Sequence, residues 1–163
     1  DLLGAHAPAC SLFVTPLAEG VDLVRWSTTS TDEFVLNLRD DSNRIHFTYT
    51  LVGSGECLFH RLSGAHRHAI RPMEGTVNHC SEVPCRFTQS GPCESLTVMV
   101  RPDIFSRCSG HAGPSVLSTS IALGHCFEEG LRHASLHSTA QPLLHALDAS
   151  PRPAIRCGSK GRP

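Results

Sequence analysis

The chain has 163 residues, of which 40% are hydrophobic and 18% charged, and its formal net charge is −1. This composition is that of a globular domain with a core and excludes a disordered chain. The lack of a basic surplus argues against a domain that holds nucleic acid by charge alone. No apolar run approaches the roughly 20 residues that a membrane-spanning helix needs, so we expect a cytoplasmic protein with no membrane partner.

Short strand-like runs follow one another through residues 11–101. The clearest run has one largely apolar face and one more polar face, formed by Ile45, Phe47, Tyr49 and Leu51 against His46, Thr48, Thr50 and Val52. This period of two, with β-branched and aromatic residues, predicts a strand. Turn residues at 53–55 predict a hairpin, with residues 56–62 as its second arm. Many short strands separated by turns predict a sandwich or barrel.

Helical patterns replace the strand patterns in the last third of the chain. Residues 115–134 predict a helix weakened by two glycines, and residues 136–150 predict a better one. Ser138, with Gln141 three positions later, is the predicted capping box of the second helix. We expect the apolar stripe of that helix either to dock on the strands or to form a homodimer contact.

The predicted organisation has three parts. Residues 1–110 form the β-barrel, residues 111–150 form helices that pack on it or dimerise, and residues 151–163 form a basic linker or tail. The eight cysteines are scattered over a chain that is long enough to fold on its own core. This scatter predicts free thiols in a reducing compartment rather than a disulfide scaffold.

Histidine and cysteine offer one set of candidate metal ligands. His66 and His68 share a predicted strand face, and His79 and Cys80 follow on a later run. Such ligands suit zinc or copper, so a sensor of a metal ion or of heme is one alternative. A cupin-type metalloenzyme is another, but it needs a glutamate soon after the second histidine, and Glu74 lies in a predicted turn. The competing interpretation is that these are edge residues of a histidine-rich protein.

Nucleophilic catalysis has little support in the sequence. His79 and Cys80 are adjacent, so on a strand their side chains point to opposite faces and are badly placed for proton transfer. The sequence has no G-x-S-x-G nucleophile elbow and no G-x-G-x-x-G phosphate loop. We therefore assign no catalytic residue and expect the chain not to be an enzyme.

A pocket for a small molecule is the remaining kind of site. A barrel with a few polar residues among apolar ones can hold one ligand. The candidate ligand-binding residues are Arg25, Trp26, His46, Thr48 and Arg61. Arginine suits a carboxylate or phenolate on a ligand. The competing interpretation places Trp26 in the core and both arginines in solvent.

Four stretches carry a resemblance to a known family. Residues 45–55, 71–75, 96–105 and 142–151 read IHFTYTLVGSG, RPMEG, LTVMVRPDIF and PLLHALDASP. Together they resemble the amino-terminal domain of AraC-type transcription regulators. Within that family the resemblance is to the subgroup that responds to ferric siderophores such as pyochelin.

The resemblance implies a mainly β fold, a cupin-like antiparallel β-barrel or jelly roll followed by C-terminal α-helices. It implies an effector-sensing domain of a bacterial transcription regulator, with a small molecule such as an iron-siderophore complex as effector and no other cofactor. DNA would be bound only through a helix-turn-helix domain, which has no counterpart in this sequence. A barrel that serves only as a homodimer contact is a further alternative.

Overall fold

The computed structural model describes residues 10–61, 64–109, 119–121, 126–149 and 155–156. The strands in chain order are β1 (Cys10–Ala18), β2 (Val21–Thr28), β3 (Phe34–Leu38), β4 (Ile45–Arg61), β5 (Gly64–Ile70), β6 (Glu74–His79), β7 (Cys85–Val100), β8 (Cys126–Leu131) and β9 (Ile155–Arg156). The two longer helices are α1 (Pro102–Ser109) and α2 (Ala134–Asp148).

All of these strands belong to one antiparallel sheet. Its order is β8-β6-β4-β7-β2-β1-β9, with β3 paired to β7 and β5 paired to β4. The predicted fold class, mainly antiparallel β with a helix towards the end of the chain, is therefore confirmed. The path of strands has separate ends at β8 and β9, so the described part of the sheet does not close into a barrel.

The hairpin predicted at residues 53–55 is wrong, because β4 continues through these residues and stays paired with β7. The pairing register with β7 shifts twice between Thr50 and Ser54. Such bulges let a long strand bend without ending. Gly53 lies at the bend with a φ of 93°, and a Cβ there would lie 2.5 Å from the carbonyl oxygen of Pro92. The glycine thus allows a close contact between two strands rather than a turn.

The helix predicted for residues 115–134 is wrong in its second half, where residues 126–131 form β8. This strand pairs with β6, with Val77 opposite Glu128, and so satisfies backbone groups at an otherwise open edge. Gly130 has a φ of 73°, which lies outside the helical range. The predicted tail also adds a strand, because β9 pairs with β1.

Helix α2 agrees with the prediction except at its start. It begins at Ala134, and its N-cap is His133, whose Nδ1 accepts a hydrogen bond from the Ser135 backbone N–H. Ser138, the predicted cap, lies one turn further on, where its hydroxyl donates to the Ser135 carbonyl. The chain therefore enters the helix directly from the end of β8.

Helix α2 packs on one face of the sheet. Ala140 and Leu144 of the helix are buried in one apolar cluster with Leu23, Tyr49, Leu51 and Leu96 of the strands. The helix thus docks on the strands, and a homodimer contact stays a prediction. Within the described ranges, no helix is both long enough and apolar enough to cross a membrane.

Candidate functional site

An apolar cavity of about 190 Å³ lies between the sheet and α2. Strands β2, β4, β6 and β7 form its floor, and β8 and α2 complete its walls. Leu23 and Leu96, two of the floor residues, are both less than 5% exposed. An apolar cavity of about 150 Å³ in another protein stays dry and binds benzene. The present cavity therefore has room for one aromatic ring or a short aliphatic chain.

The strand period of two explains why this face of β4 is apolar. Phe47 and Tyr49 lie on the face that α2 covers, and both line the cavity. Thr48 contributes to the cavity wall, and its hydroxyl lies 2.8 Å from the hydroxyl of Thr97 on β7. Phe47 and Tyr49 of the apolar set thus face the cavity, and Thr48 of the other set lines it while contacting Thr97 on β7.

Tyr49 supplies the polar boundary of the cavity. Its hydroxyl lies 3.3 Å from Nδ1 of His137 on α2 and 3.6 Å from the sulfur of Met73. Tyr49 also lines a more open cleft of about 420 Å³, together with Met73, Arg132, His133 and His137. Tyr49 is therefore a wall residue that the apolar cavity and the cleft share.

A buried carboxylate lies beside this cleft. Glu74 at the start of β6 is only 3% exposed, and its Oε1 accepts a hydrogen bond of 2.8 Å from Nε of Arg132 and a second one from Nη2. Its Oε2 lies 3.6 Å from a guanidinium nitrogen of Arg71 and accepts no hydrogen bond from the described residues. The hydrogen bonds from Arg132 outweigh burial and hold the pKa of Glu74 below its usual value. Two guanidinium groups therefore face one carboxylate.

Glu74→Gln should lower the melting temperature at neutral pH, because it removes the charge that holds Arg132. The folded-state pKa of Glu74 lies below its ordinary value of 4.5. Its stabilising effect is therefore present above pH 4.5 and is lost as the pH falls through the folded-state pKa. Thermal unfolding of the wild type and the variant from neutral to acidic pH measures this difference.

The control for that experiment is Glu128→Gln on the exposed side of β8. We expect this variant to follow the wild type at every pH. A gap between wild type and Glu74→Gln that stays constant down to strongly acidic pH would contradict the assignment.

Arg25, a predicted ligand contact, is engaged by two carboxylates. Its Nε and Nη2 donate to Oε1 of Glu94, at 3.0 and 2.6 Å, and its Nη1 pairs with Asp148 at the end of α2. These groups line a separate cleft of about 360 Å³ on the other side of the helix. Arg25 thus ties α2 to β2 and β7.

Trp26 is held apart from Arg25, because neighbouring residues on a strand point to opposite faces. Its indole N–H donates to Oε1 of Gln89 at 3.1 Å, and its ring centre lies 6.2 Å from that of Phe34. Nε2 of His46 lies 3.3 Å from Oδ2 of Asp40.

Arg61 ends β4, with its backbone opposite Gly64 of β5. The structure therefore does not gather the five predicted ligand residues at one place. Of these residues, Thr48 lines the apolar cavity and Arg25 lines the cleft beyond α2.

The structure brings forward Tyr49, which lines the cavity, its neighbour His137, and the Glu74–Arg132 pair at the cleft. Sequence reasoning placed Tyr49 on an apolar strand face and Glu74 in a turn. Tyr49 is the only tyrosine of the chain, and its position among apolar neighbours was the available signal. The Glu74–Arg132 contact joins residues 58 positions apart, so local pattern reading could not find it.

The alternative metal ligands on β5 lie in a separate region of the sheet. His66 and His68 are opposite Phe59 and Cys57 of β4. The ring of His68 stacks on Phe127 with centres 4.2 Å apart.

The other two candidate metal ligands, His79 and Cys80, are buried and make polar contacts with other residues. Nδ1 and Nε2 of His79 lie 3.3 Å from the carbonyl of Ile121 and 3.0 Å from Oδ1 of Asn43. The thiol of Cys80 donates to the carbonyl of Cys126 at 3.2 Å. In the part of the chain that the structure describes, no three His, Cys, Asp or Glu residues are grouped to hold a metal ion. The four alternative metal ligands therefore do not come together as one set among the described residues.

Similar solved structures are oxalate decarboxylases. One from Bacillus subtilis is 13% identical over 58% of this chain and 26% of that chain, with a TM-score of 0.46. A variant of the same enzyme is 12% identical over 81% of this chain and 41% of that chain, with a TM-score of 0.47. The formate complex from Lactobacillus farciminis is 15% identical over 51% and 24%, with a TM-score of 0.38. The chain thus spans less than half the length of these structures.

The similar structures are enzymes, contrary to the expectation that the chain is not one. Their identities and TM-scores are too low to transfer an activity to this chain. No family model and no curated protein matches the sequence. The resemblance to AraC-type regulators therefore stays a prediction.

Proposed function

We propose that this chain is a small-molecule-binding domain that takes a compact, mainly apolar ligand between the sheet and α2. The apolar cavity of about 190 Å³ carries this proposal. Its apolar walls, with Tyr49 and His137 at one end, have the composition of a ligand pocket, which combines an apolar lining with a few placed polar groups. A cavity of this size favours an effector smaller than the ferric siderophore that the subgroup resemblance implies.

Helix α2 is the element that would respond to the ligand. It provides one wall of the cavity through Leu136, Ala140 and Leu143, and its last residue pairs with Arg25. A ligand that binds one placement of α2 more tightly than another shifts the helix towards that placement. Combined with the resemblance to AraC-type regulators, this supports a sensor whose α2 transmits ligand binding to a DNA-binding domain. DNA is then a partner only through that domain.

Ala140→Leu tests the cavity, because Ala140 is buried in its wall and a leucine there fills the space. Thermal unfolding is measured with toluene as the probe. At about 100 times its Kd, toluene should stabilise the wild type by about 2.7 kcal/mol, which raises the melting temperature by about 5–10 °C. The filled variant should show no rise.

Ala146→Leu, on the exposed side of the same helix, is the matched control and should respond like the wild type. A wild type that does not respond to toluene, or a response that survives Ala140→Leu, would sink the proposal.

Catalysis in the same cavity is the second candidate. The Tyr49 hydroxyl and His137 form a pair that can hold and pass a proton at the end of the cavity. Bound phenylacetone, whose benzylic hydrogens are acidic, should then exchange them with deuterium from heavy water, as NMR would record. Tyr49→Phe should still bind the probe but lose the exchange. Equal exchange rates with and without the wild-type protein would remove this candidate.

A further inference from the structure

We propose that the ligand of the cavity is an organic anion, with an aromatic ring or short apolar chain as its body and one carboxylate as its head. The inference rests on the function proposed above and adds the chemical class of the ligand. The body fills the apolar cavity, and the head lies in the cleft of about 420 Å³ that shares Tyr49 with it.

The charged groups around the cleft favour an anion. Arg71 and Arg132 both face the carboxylate of Glu74, so the three groups together hold one positive charge in excess. The side chain of Arg132 is 74% exposed and lines the cleft, whereas Glu74 is 3% exposed. An anion in the cleft therefore meets a guanidinium group before it meets the buried carboxylate. The hydrogen bonds from Arg132 to Glu74 use Nε and Nη2 and not Nη1.

The polar groups around the Tyr49 hydroxyl also favour an anion. The Tyr49 hydroxyl has the sulfur of Met73 and a ring nitrogen of His137 as neighbours, at 3.6 and 3.3 Å. A carboxylate oxygen is a stronger acceptor than a thioether sulfur, so the hydroxyl gains a better partner when an anion binds. The first residues of α2 also line this cleft, and the start of a helix favours negative charge.

The charge at the cleft and the apolar lining of the cavity favour a single carboxylate over other polar head groups. One excess positive charge matches a monoanion, whereas a phosphate would bring a second negative charge close to Glu74. The apolar cavity offers few partners to a second polar group on the body, and an unpaired polar group there would weaken binding. A small aromatic or aliphatic monocarboxylate therefore fits both spaces.

Phenylacetate and phenylacetamide form the test pair, because they have nearly the same shape and differ in charge. Isothermal titration of the full chain with each probe gives a ratio of dissociation constants. The wild type should bind phenylacetate about tenfold more tightly than phenylacetamide, because a hydrogen bond to a charged group is worth more than a neutral one. Arg132→Gln should bring this ratio close to one, and Arg132→Lys should keep most of it.

Arg86→Gln, an exposed arginine on β7, is the control and should leave the ratio unchanged. Equal binding of both probes by the wild type, together with loss of both in Ala140→Leu, would overturn the anion assignment and leave the proposed function standing. Binding of neither probe would overturn the inference, and the response to toluene would then decide whether the proposed function stands. Binding of phenylacetate that survives Ala140→Leu would also overturn the inference, since the body would then lie outside the cavity.

Discussion

Replacing Leu144 by alanine should lower the free energy of unfolding by about 2–5 kcal/mol, the usual range for removing a buried leucine side chain from a core. Leu144 is 6% exposed and packs in the cluster that joins α2 to the sheet. Its loss leaves a hole at the contact that holds the helix over the cavity. Urea unfolding followed by circular dichroism gives the free energy of each variant.

Leu136→Ala is the matched variant for this experiment. Leu136 lies on the same helix and is 37% exposed. Folding therefore buries less of its apolar surface than it does for Leu144. We expect it to cost clearly less than Leu144→Ala. Equal costs for the two variants would mean that α2 is not anchored through Leu144.

Gly53→Ala is the second change with a large expected effect. A residue with a side chain at a φ of 93° is strained by about 1–3 kcal/mol, and here the added Cβ would also lie 2.5 Å from the Pro92 carbonyl oxygen. Strands β4 and β7 must then move apart at the bulge. Urea unfolding of the wild type and the variant measures the loss.

Gly91→Ala separates strain from the close contact. Gly91 has a φ of 75°, and its added Cβ would meet no atom of the described residues within 4 Å. This variant should lose only the stability that backbone strain removes, and Gly53→Ala should lose more. If the two variants lose the same stability, the close contact with β7 contributes nothing.

The sequence predicted those elements that local periodicity determines. The alternation in the first half of β4 and the leucine spacing of α2 both correspond to elements of the structure, because one buried face is enough to impose each pattern. The turn at residues 53–55 and the helix over residues 126–131 were wrong for a common reason. A glycine can mark a turn, a bulge or a weak helix, and the partner strand decides which.

The candidate site was harder to predict than the fold. Sequence reasoning chose His46 and Thr48 from the more polar face of β4, and of these Thr48 lines the apolar cavity together with Phe47 and Tyr49 of the other face. Which face of a strand becomes a pocket depends on where α2 packs, and that contact joins distant parts of the chain. The contact between Arg25 and Asp148 spans 123 positions, so a reading of neighbouring residues cannot reveal it.

An NMR titration of the full chain with toluene shows whether the space beneath α2 is a ligand site. We expect chemical-shift changes to concentrate on residues lining the cavity, including Leu23, Leu96 and Ala140, and we expect Ala140→Leu to abolish them. Shifts confined to residues away from the cavity, or no shifts at saturating toluene, would contradict this expectation.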